Sequence, residues 1–408
     1  MGYFREALIG TGWMGALRGI IRGVGLIKIV ILARILTPAD FGLFGIAAIT
    51  LALMETFTET GVSLALVQQE EEIHEYLSTA WIISIVRGFV IGAAMLGFSK
   101  VIVSFFNQPE ALKLLFIMAA IPVVRGFINP GVINFVKKLQ FNKEFSLKVL
   151  PLMTDAVVTI IAAIMTKSAV AIIYGMLAAA ITEVGLSFVI ARIRPKLEFV
   201  KKKAAKLIDY GKWVTVGGMM SYLTEQFDDI IVGKVLGVTS LGIYQMAYKL
   251  STLPSGEIAE TLSKVSFPVY SKIAGDRKRL KKAVKKTTIV ISAIALPASL
   301  LFILYPQVLI RAILGNQWLA AAVPLQLLAI YGLIRSISQA PSAALFASGR
   351  PDIVAKLRAA RFIVMALLLF PLISKYQLVG AAIAVVVSSI VVLPLLWMSL
   401  RSTLRNNA

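Results

Sequence analysis

Apolar runs of about 20 residues follow one another along the whole chain, separated by short polar or basic turns. That is the length an α-helix needs to cross the hydrocarbon core of a bilayer. The pattern predicts twelve helices: 12–35, 41–66, 77–104, 110–135, 146–167, 169–191, 212–236, 240–268, 284–305, 319–346, 353–374 and 378–400. Nine prolines fall inside them, at Pro122, Pro130, Pro151, Pro254, Pro297, Pro324, Pro341, Pro371 and Pro394. Membrane helices tolerate such breaks when the freed carbonyls face protein or water, so these positions are expected kinks and candidate moving parts.

The pattern also repeats at a spacing of 200 residues. Residues 13–44, WMGALRGIIRGVGLIKIVILARILTPADFGLF, align without a gap on 213–244, WVTVGGMMSYLTEQFDDIIVGKVLGVTSLGIY. Trp13 falls on Trp213, Arg34 on Lys234, Leu36 on Leu236, Gly42 on Gly242 and Phe44 on Tyr244. Asn107-Gln108 and Asn316-Gln317 form a second echo. Duplication predicts an N-terminal lobe over 1–191, a basic linker over 192–211 and a C-terminal lobe over 212–408, with six helices in each lobe. An even helix number gives both copies the same orientation, so their pseudo-two-fold runs along the membrane normal. The expected fold is therefore all-α and integral to the membrane.

Composition agrees. Of 408 residues, 58% are hydrophobic and only 15% charged, and mean hydropathy is +0.84. The start carries no secretory signal pattern, so Met1 onward reads as mature protein. There is no cysteine and one histidine, His74, which argues against a thiolate or His-based metal site and a Ser-His triad. The net charge of +21 would point to nucleic acid in a soluble protein. Here topology explains it, and no nucleic-acid partner is expected. Arg5, the 137–143, 192–212, 272–286 and 350–358 turns, Arg401 and Arg405 hold 25 of the 42 Lys and Arg residues. The opposite turns hold seven, namely Arg34, Lys100, Lys113, Lys167, Lys234, Arg311 and Lys375. The positive-inside rule places the first set and both termini in the cytoplasm. The acidic patch Glu70–Glu75 falls on the same side, and the basic linker is expected to lie on anionic headgroups.

Thr37-Pro38-Ala39-Asp40 spells a helix start, with threonine as N-cap, proline at the first helical position and Asp40 completing a capping box. Gly42 and Gly242 are expected at close helix approaches.

Charges inside the apolar runs are the candidate chemistry, because each must face a partner or water. Arg18 and Arg22 share a face of the first helix beside a Gly15, Gly19, Gly23 stripe suited to tight packing. Counting from the 38–39 turn, Arg22 matches Glu55 in depth and Arg18 matches Glu59. That favours two structural pairs, with at least one arginine facing an anionic substrate as the alternative. Lys28 sits roughly 16 Å below the turn, and its repeat partner is Asp228, followed by Asp229 and preceded by Glu225. Opposite charges at one repeat position suggest a latch between lobes. Crowded Glu225, Asp228 and Asp229 suggest a site for a proton or Na⁺, against the bland alternative of pairing with Lys249 or Lys28. Arg87, Arg125 and Arg335 lie near mid-depth, Arg335 roughly repeating Arg125. Counting finds no depth-matched acid beside Arg87 or Arg125. With Asp155, Glu183, Glu257 and Glu260, these charges spread over nine helices and predict a wet polar cavity.

Segments along nearly the whole chain also resemble a known family. LARILTPADFGLF, GVSLALVQ, LSTAW, FFNQPEALKLL, VKKLQFNKEFS, LIDYGKWV, DDIIVGKVLGVTSLGIYQMAYKLSTLP, VSFPVYSKI, LGNQWLAAAVPLQLLAIYGLIRSIS and ASGRP occur in family order. They are similar to the Wzx-like polysaccharide flippases of the multidrug/oligosaccharidyl-lipid/polysaccharide exporter superfamily. The resemblance implies two six-helix lobes about a central cavity and alternating access. It implies a polyprenyl-pyrophosphate-linked oligosaccharide as substrate, in O-antigen, lipopolysaccharide or other cell-envelope glycan synthesis. No cofactor is expected beyond Na⁺ or proton coupling, and bilayer lipids, a glycan polymerase and glycosyltransferases of the same pathway are the expected partners. The cationic candidates Arg18, Arg22, Lys28, Arg87, Arg125 and Arg335 suit a pyrophosphate, since guanidinium binds phosphate bidentately. A drug or cation antiporter of the same superfamily would favour an anionic cavity, and Asp228 with Asp229 keeps that alternative open. An integral-membrane polymerase or glycosyltransferase would need a long outer loop or an acidic metal motif, and neither is present.

Overall fold

The computed structural model describes residues 2–59, 61, 74–137, 140–191 and 193–405. Every regular element among them is helical. The chain forms two compact units, Met1–Leu223 and Thr224–Ala408. The division falls inside what the repeat treats as the first helix of the second copy.

In the first unit, α1 (Gly2–Ile35) and α2 (Pro38–Phe57) flank the Thr37 turn. The capping box is present: Asp40 N donates to Thr37 Oγ1, and Thr37 N donates to Asp40 Oδ2 at 2.9 Å. Asp40 has a second task, because its other oxygen accepts from Ala169 N at 3.1 Å. That bond ties the turn to the start of α8 (Val170–Ile190). α3 (His74–Phe106) matches the pattern. The expected single helix over 110–135 does not. It is broken into α4 (Ala111–Met118), α5 (Ala120–Gly126), a 3-10 turn at Pro130–Val132 and α6 (Ile133–Lys137). Two prolines explain this. Pro122 cannot donate to Met118, and Pro130 holds Asn129 extended at ψ 115° while the Asn129 side chain caps Gly131 N. α7 (Phe141–Thr166) carries Pro151 and lies along both α1 and α8. Leu32, Leu36, Ala163, Ala171 and Ile172 make the shared core of these three helices.

The second unit takes most of its length from two interrupted helices. α9 (Lys201–Lys272) begins in the basic linker, at Lys201 rather than at 212, and breaks at Gly237 with φ 82° and ψ 178°. Side-chain hydrogen bonds join residues 228 and 244. Sixteen residues of straight helix would span ~24 Å, so the chain folds back there as a hairpin. α13 (Pro351–Arg405) breaks likewise at Gln377, with φ 51°. Between them lie α10 (Arg277–Leu304), α11 (Pro306–Ile313), a 3-10 turn at Asn316–Ala321 and α12 (Ala322–Ala347). α12 is the central helix of this unit, packed on both α10 and α13. The two Asn-Gln echoes share a left-handed corner, taken by Asn107 itself in one copy and by Gly315, one residue earlier, in the other. Among the described residues, eight helices are long and apolar enough to cross a membrane, and two of the eight contain the breaks at Gly237 and Gln377.

Candidate functional site

Close packing of α3 against α5 builds the first charge cluster. A Cβ on Gly88 would collide with Pro122 O, one on Gly126 would lie 2.8 Å from Ser84 O, and one on Gly92 would lie 3.0 Å from Ala119 O. Backbone meets backbone there, so only glycine fits. Arg87 and Arg125 each immediately precede one of these glycines. The crossing therefore delivers both guanidiniums to one cleft of about 270 Å³, lined by Glu55, Ser84, Arg87, Pro122 and Arg125 among others.

Neither arginine is left as a bare cation, which corrects the expectation drawn from depth counting. Arg87 Nη2 donates to Glu55 O at 2.8 Å and to Glu59 Oε2 at 3.2 Å, and its Nε donates to Thr58 Oγ1 at 3.3 Å. Arg125 Nε stands 3.7 Å from Glu183 Oε2 on α8. The Glu55 carboxylate faces Arg125 and Arg87, not the expected Arg22. Glu59 does form a pair, with Arg87; the side chain of its expected partner Arg18 lies outside the described residues. Depth along one hairpin could not reveal that α3 and α8 come alongside. Side-chain exposures of 26% for Arg87 and 41% for both Arg125 and Glu59 keep the cluster within reach of a ligand. The glycine stripe on α1 is also corrected: Gly19 and Gly23 have open space where a Cβ would stand. Arg22 is exposed on that helix.

Lys28 is held elsewhere. Its Nζ donates to Asp155 on α7 at 2.6 Å, and Asp155 in turn accepts from Thr159 Oγ1 at 3.1 Å. Gly175 on α8 presses against this pair, since a Cβ there would lie 2.7 Å from Asp155 O.

The second cluster is in the other unit; its Asp228, Tyr244 and Tyr331 are buried, and its Asp229, Gln245, Tyr248 and Arg361 are half-buried. Asp228, 3% exposed, accepts from Tyr244 Oη at 2.7 Å, and Asp229 accepts from Gln245 Nε2 at 3.0 Å. Tyr248 Oη donates to Tyr331 Oη at 3.0 Å. The Arg361 guanidinium lies 4.8 Å from the centre of the Tyr331 ring and close enough to Asp228 to act on its charge. Two adjacent carboxylates thus share hydroxyl and amide donors and one guanidinium. Of the lysines considered as partners for these acids, Lys28 is bonded to Asp155 instead, while Asp228 faces Tyr244 and Arg361. Glu225 and Arg335 are both exposed and near enough to interact. A latch between Lys28 and Asp228 would require each to leave the partner it has inside its own unit. The side chains of Glu257 and Glu260, and of the acidic 70–75 patch, lie outside the described residues.

Sequence reasoning passed over Arg361, Tyr244, Tyr248 and Tyr331. A signal existed. Arg361 heads the apolar run 362–373, and Tyr244 and Tyr248 stand one helical turn apart, facing the acids across the Gly237 break. Among the described residues no group of three or more acidic or imidazole ligands could hold a metal ion.

Comparison with known proteins agrees with this architecture. The lipid II flippase MurJ, in an inward closed conformation, superposes with a TM-score of 0.78 at 18% identity, over 95% of this chain and 87% of that one. An inward-facing multidrug resistance MATE transporter gives 0.73 at 14% identity, over 94% and 96%. At such identities the likeness speaks for the fold alone. In sequence, the lipopolysaccharide biosynthesis protein WzxC of Escherichia coli K12 is 26% identical over 85% of this chain and 71% of its own length. The teichuronic acid biosynthesis protein TuaB of Bacillus subtilis 168 is 22% identical over 86% and 73%. A profile of the polysaccharide biosynthesis protein family matches residues 31–324, well over half the chain. With a family profile matched over most of its length, the chain belongs to that polysaccharide biosynthesis protein family.

Proposed function

We propose that the protein moves a polyprenyl-pyrophosphate-linked oligosaccharide across the cytoplasmic membrane by alternating access, as a transporter and not an enzyme. The observation that carries the reading is the Arg87–Arg125 cleft. A pyrophosphate has no route through hydrocarbon without cations, and two guanidiniums brought to one half-exposed cleft can each grip phosphate bidentately. Their present carboxylate partners do not prevent this. Partly exposed ion pairs contribute only about 0–1 kcal/mol, so an arriving dianion can replace Glu59 or Glu183. WzxC is named for lipopolysaccharide biosynthesis and TuaB for teichuronic acid biosynthesis, which supports a cell-envelope glycan as the cargo.

In this reading the chain crosses the membrane twelve times, six times in each repeat, with both termini and the basic turns in the cytoplasm. Glycosyltransferases and a polymerase of one glycan pathway would work alongside it. Asp228 and Asp229 bind a proton or Na⁺ whose gradient drives the cycle. The alternative is a drug or cation antiporter, and one observation favours it: the N-terminal cleft holds Glu55, Glu59 and Glu183 against two arginines.

The test is export in a strain whose own flippase is deleted. Arg87→Ala/Arg125→Ala should lower surface glycan at least tenfold with normal protein level, while Arg87→Lys/Arg125→Lys should retain part of it. Normal export by the alanine pair would sink the flippase reading. Gradient-dependent efflux of organic cations by the same variant would favour the antiporter. Coupling is tested in vesicles, where Asp229→Asn should remove dependence on the proton or sodium gradient. Wild-type transport that ignores both gradients would dismiss it.

A further inference from the structure

The second unit carries a trench unconnected with either charge cluster. Lys281, Lys285, Thr288, Ile289, Ser292 and Leu296 recur at helical spacing along one face of α10 and form one wall. Trp397, Leu400, Arg401 and Leu404, near the end of α13, form the other. Behind them Ala343 and Ala344 of α12 pack with Val284 and Leu400, and these short side chains leave the space between the walls unfilled. The trench holds about 820 Å³.

Its polarity is graded. Lys281, Lys285 and Arg401 crowd one end, and Leu296 marks the apolar end. Fifteen residues of helix separate Lys281 from Leu296, ~22 Å. The acyl layer of one leaflet, half of a ~30 Å core, fits within that length. The three cations have no acidic partner among the described residues. The nearby acids are committed elsewhere: Asp276 caps α10 and pairs with Arg279 at 3.3 Å, and Asp352 pairs with Arg350 at 3.1 Å. Two lysines one helical turn apart, with an arginine on the facing helix, repel each other unless an anion sits among them.

We infer that this trench is a binding site for an anionic glycerophospholipid, with its phosphate among Lys281, Lys285 and Arg401 and an acyl chain lying along Ile289, Leu296 and Trp397. Apolar filling alone would accept any bilayer lipid. The cationic mouth is what selects an anionic one, and basic residues near a membrane surface each favour anionic lipid severalfold.

Trp397 makes the site observable. The full chain is reconstituted in nanodiscs of phosphatidylcholine and phosphatidylglycerol, with bromine on the acyl chains of one lipid at a time. Subtracting the signal of Trp397→Phe isolates the response of this tryptophan. Brominated phosphatidylglycerol should quench it at about tenfold lower mole fraction than brominated phosphatidylcholine. Lys281→Gln/Lys285→Gln/Arg401→Gln should abolish that preference with circular dichroism and melting temperature unchanged. Equal quenching by the two lipids in the wild type overturns the inference, as does a preference that survives the triple change. Should Trp397 prove shielded from both lipids, with a dimeric mass, a second copy fills the trench and the inference is wrong. Displacement of phosphatidylglycerol by equimolar polyprenyl phosphate would assign the trench to the transported lipid and equally overturn it. The quenching comparisons are read without any measurement of glycan export, so the trench and the Arg87–Arg125 cleft are tested separately.

Discussion

Each unit holds a cluster of charges inside its helices, and the two clusters differ in kind. In the first unit, Arg87, Arg125, Glu55, Glu59 and Glu183 stand half-exposed around a cleft, and their ion pairs are long or shared. In the second, Asp228 is buried against Tyr244 and Arg361, and the half-buried Asp229 is held by Gln245. Exposed pairs cost little to exchange, whereas enclosed charges depend on every partner remaining in place. The first arrangement suits a ligand that comes and goes. The second suits one small ion or proton, or a fixed internal scaffold.

The sharpest way to break this contrast is to remove one cation from each side. Arg361→Leu should destabilise the protein by about 3–5 kcal/mol, because it strands the buried Asp228 carboxylate. Arg125→Leu should cost under about 1 kcal/mol. Chemical denaturation in detergent compares them, and equal losses would mean that the clusters do not differ as described. Next in size, valine at Gly88 or Gly126 should cost about 1–3 kcal/mol by forcing α3 from α5, and should lower export by separating the arginines. Export unchanged in both variants would show that the crossing does not set the cleft.

Smaller effects refine the picture. Tyr244→Phe leaves Asp228 short of a donor and should cost about 1–3 kcal/mol, read from the same unfolding curves. The duplicated turn offers the last comparison. Gly237→Ala should cost about 1–3 kcal/mol, since φ 82° with ψ 178° is nearly restricted to glycine. Thr37→Ala, at the equivalent position, should cost about 1 kcal/mol through the lost cap. One copy shapes the corner with a side chain and the other with backbone freedom, so exchanging the two residues should harm both corners.

Much of this was legible in the sequence. Helix positions follow from runs whose length and apolarity leave few alternatives, and Thr37-Pro38-Ala39-Asp40 specifies its cap through local chemistry. The breakup of 110–135 was harder to see. Pro122 and Pro130 were visible, but whether a proline bends a helix or ends it depends on what packs against it. Partner choice was the least legible. Depth along the α1–α2 hairpin ranked Glu55 against Arg22, yet α3 supplies Arg87 to Glu59 and α8 supplies Glu183 to Arg125. Helical period gives height and facing, and says nothing of which third helix arrives alongside. Arg361 was hidden for the same reason.

The α3–α5 crossing also bears on inheritance. Each arginine of the cleft is followed at once by a glycine whose missing side chain admits the opposing backbone. The obstacle to any larger residue is a carbonyl, which no substitution elsewhere can trim. Arg87-Gly88 and Arg125-Gly126 should therefore drift as linked dipeptides, lost together or kept together. Among diverged relatives, a lineage that has abandoned one of these dipeptides is where a different cargo should be sought.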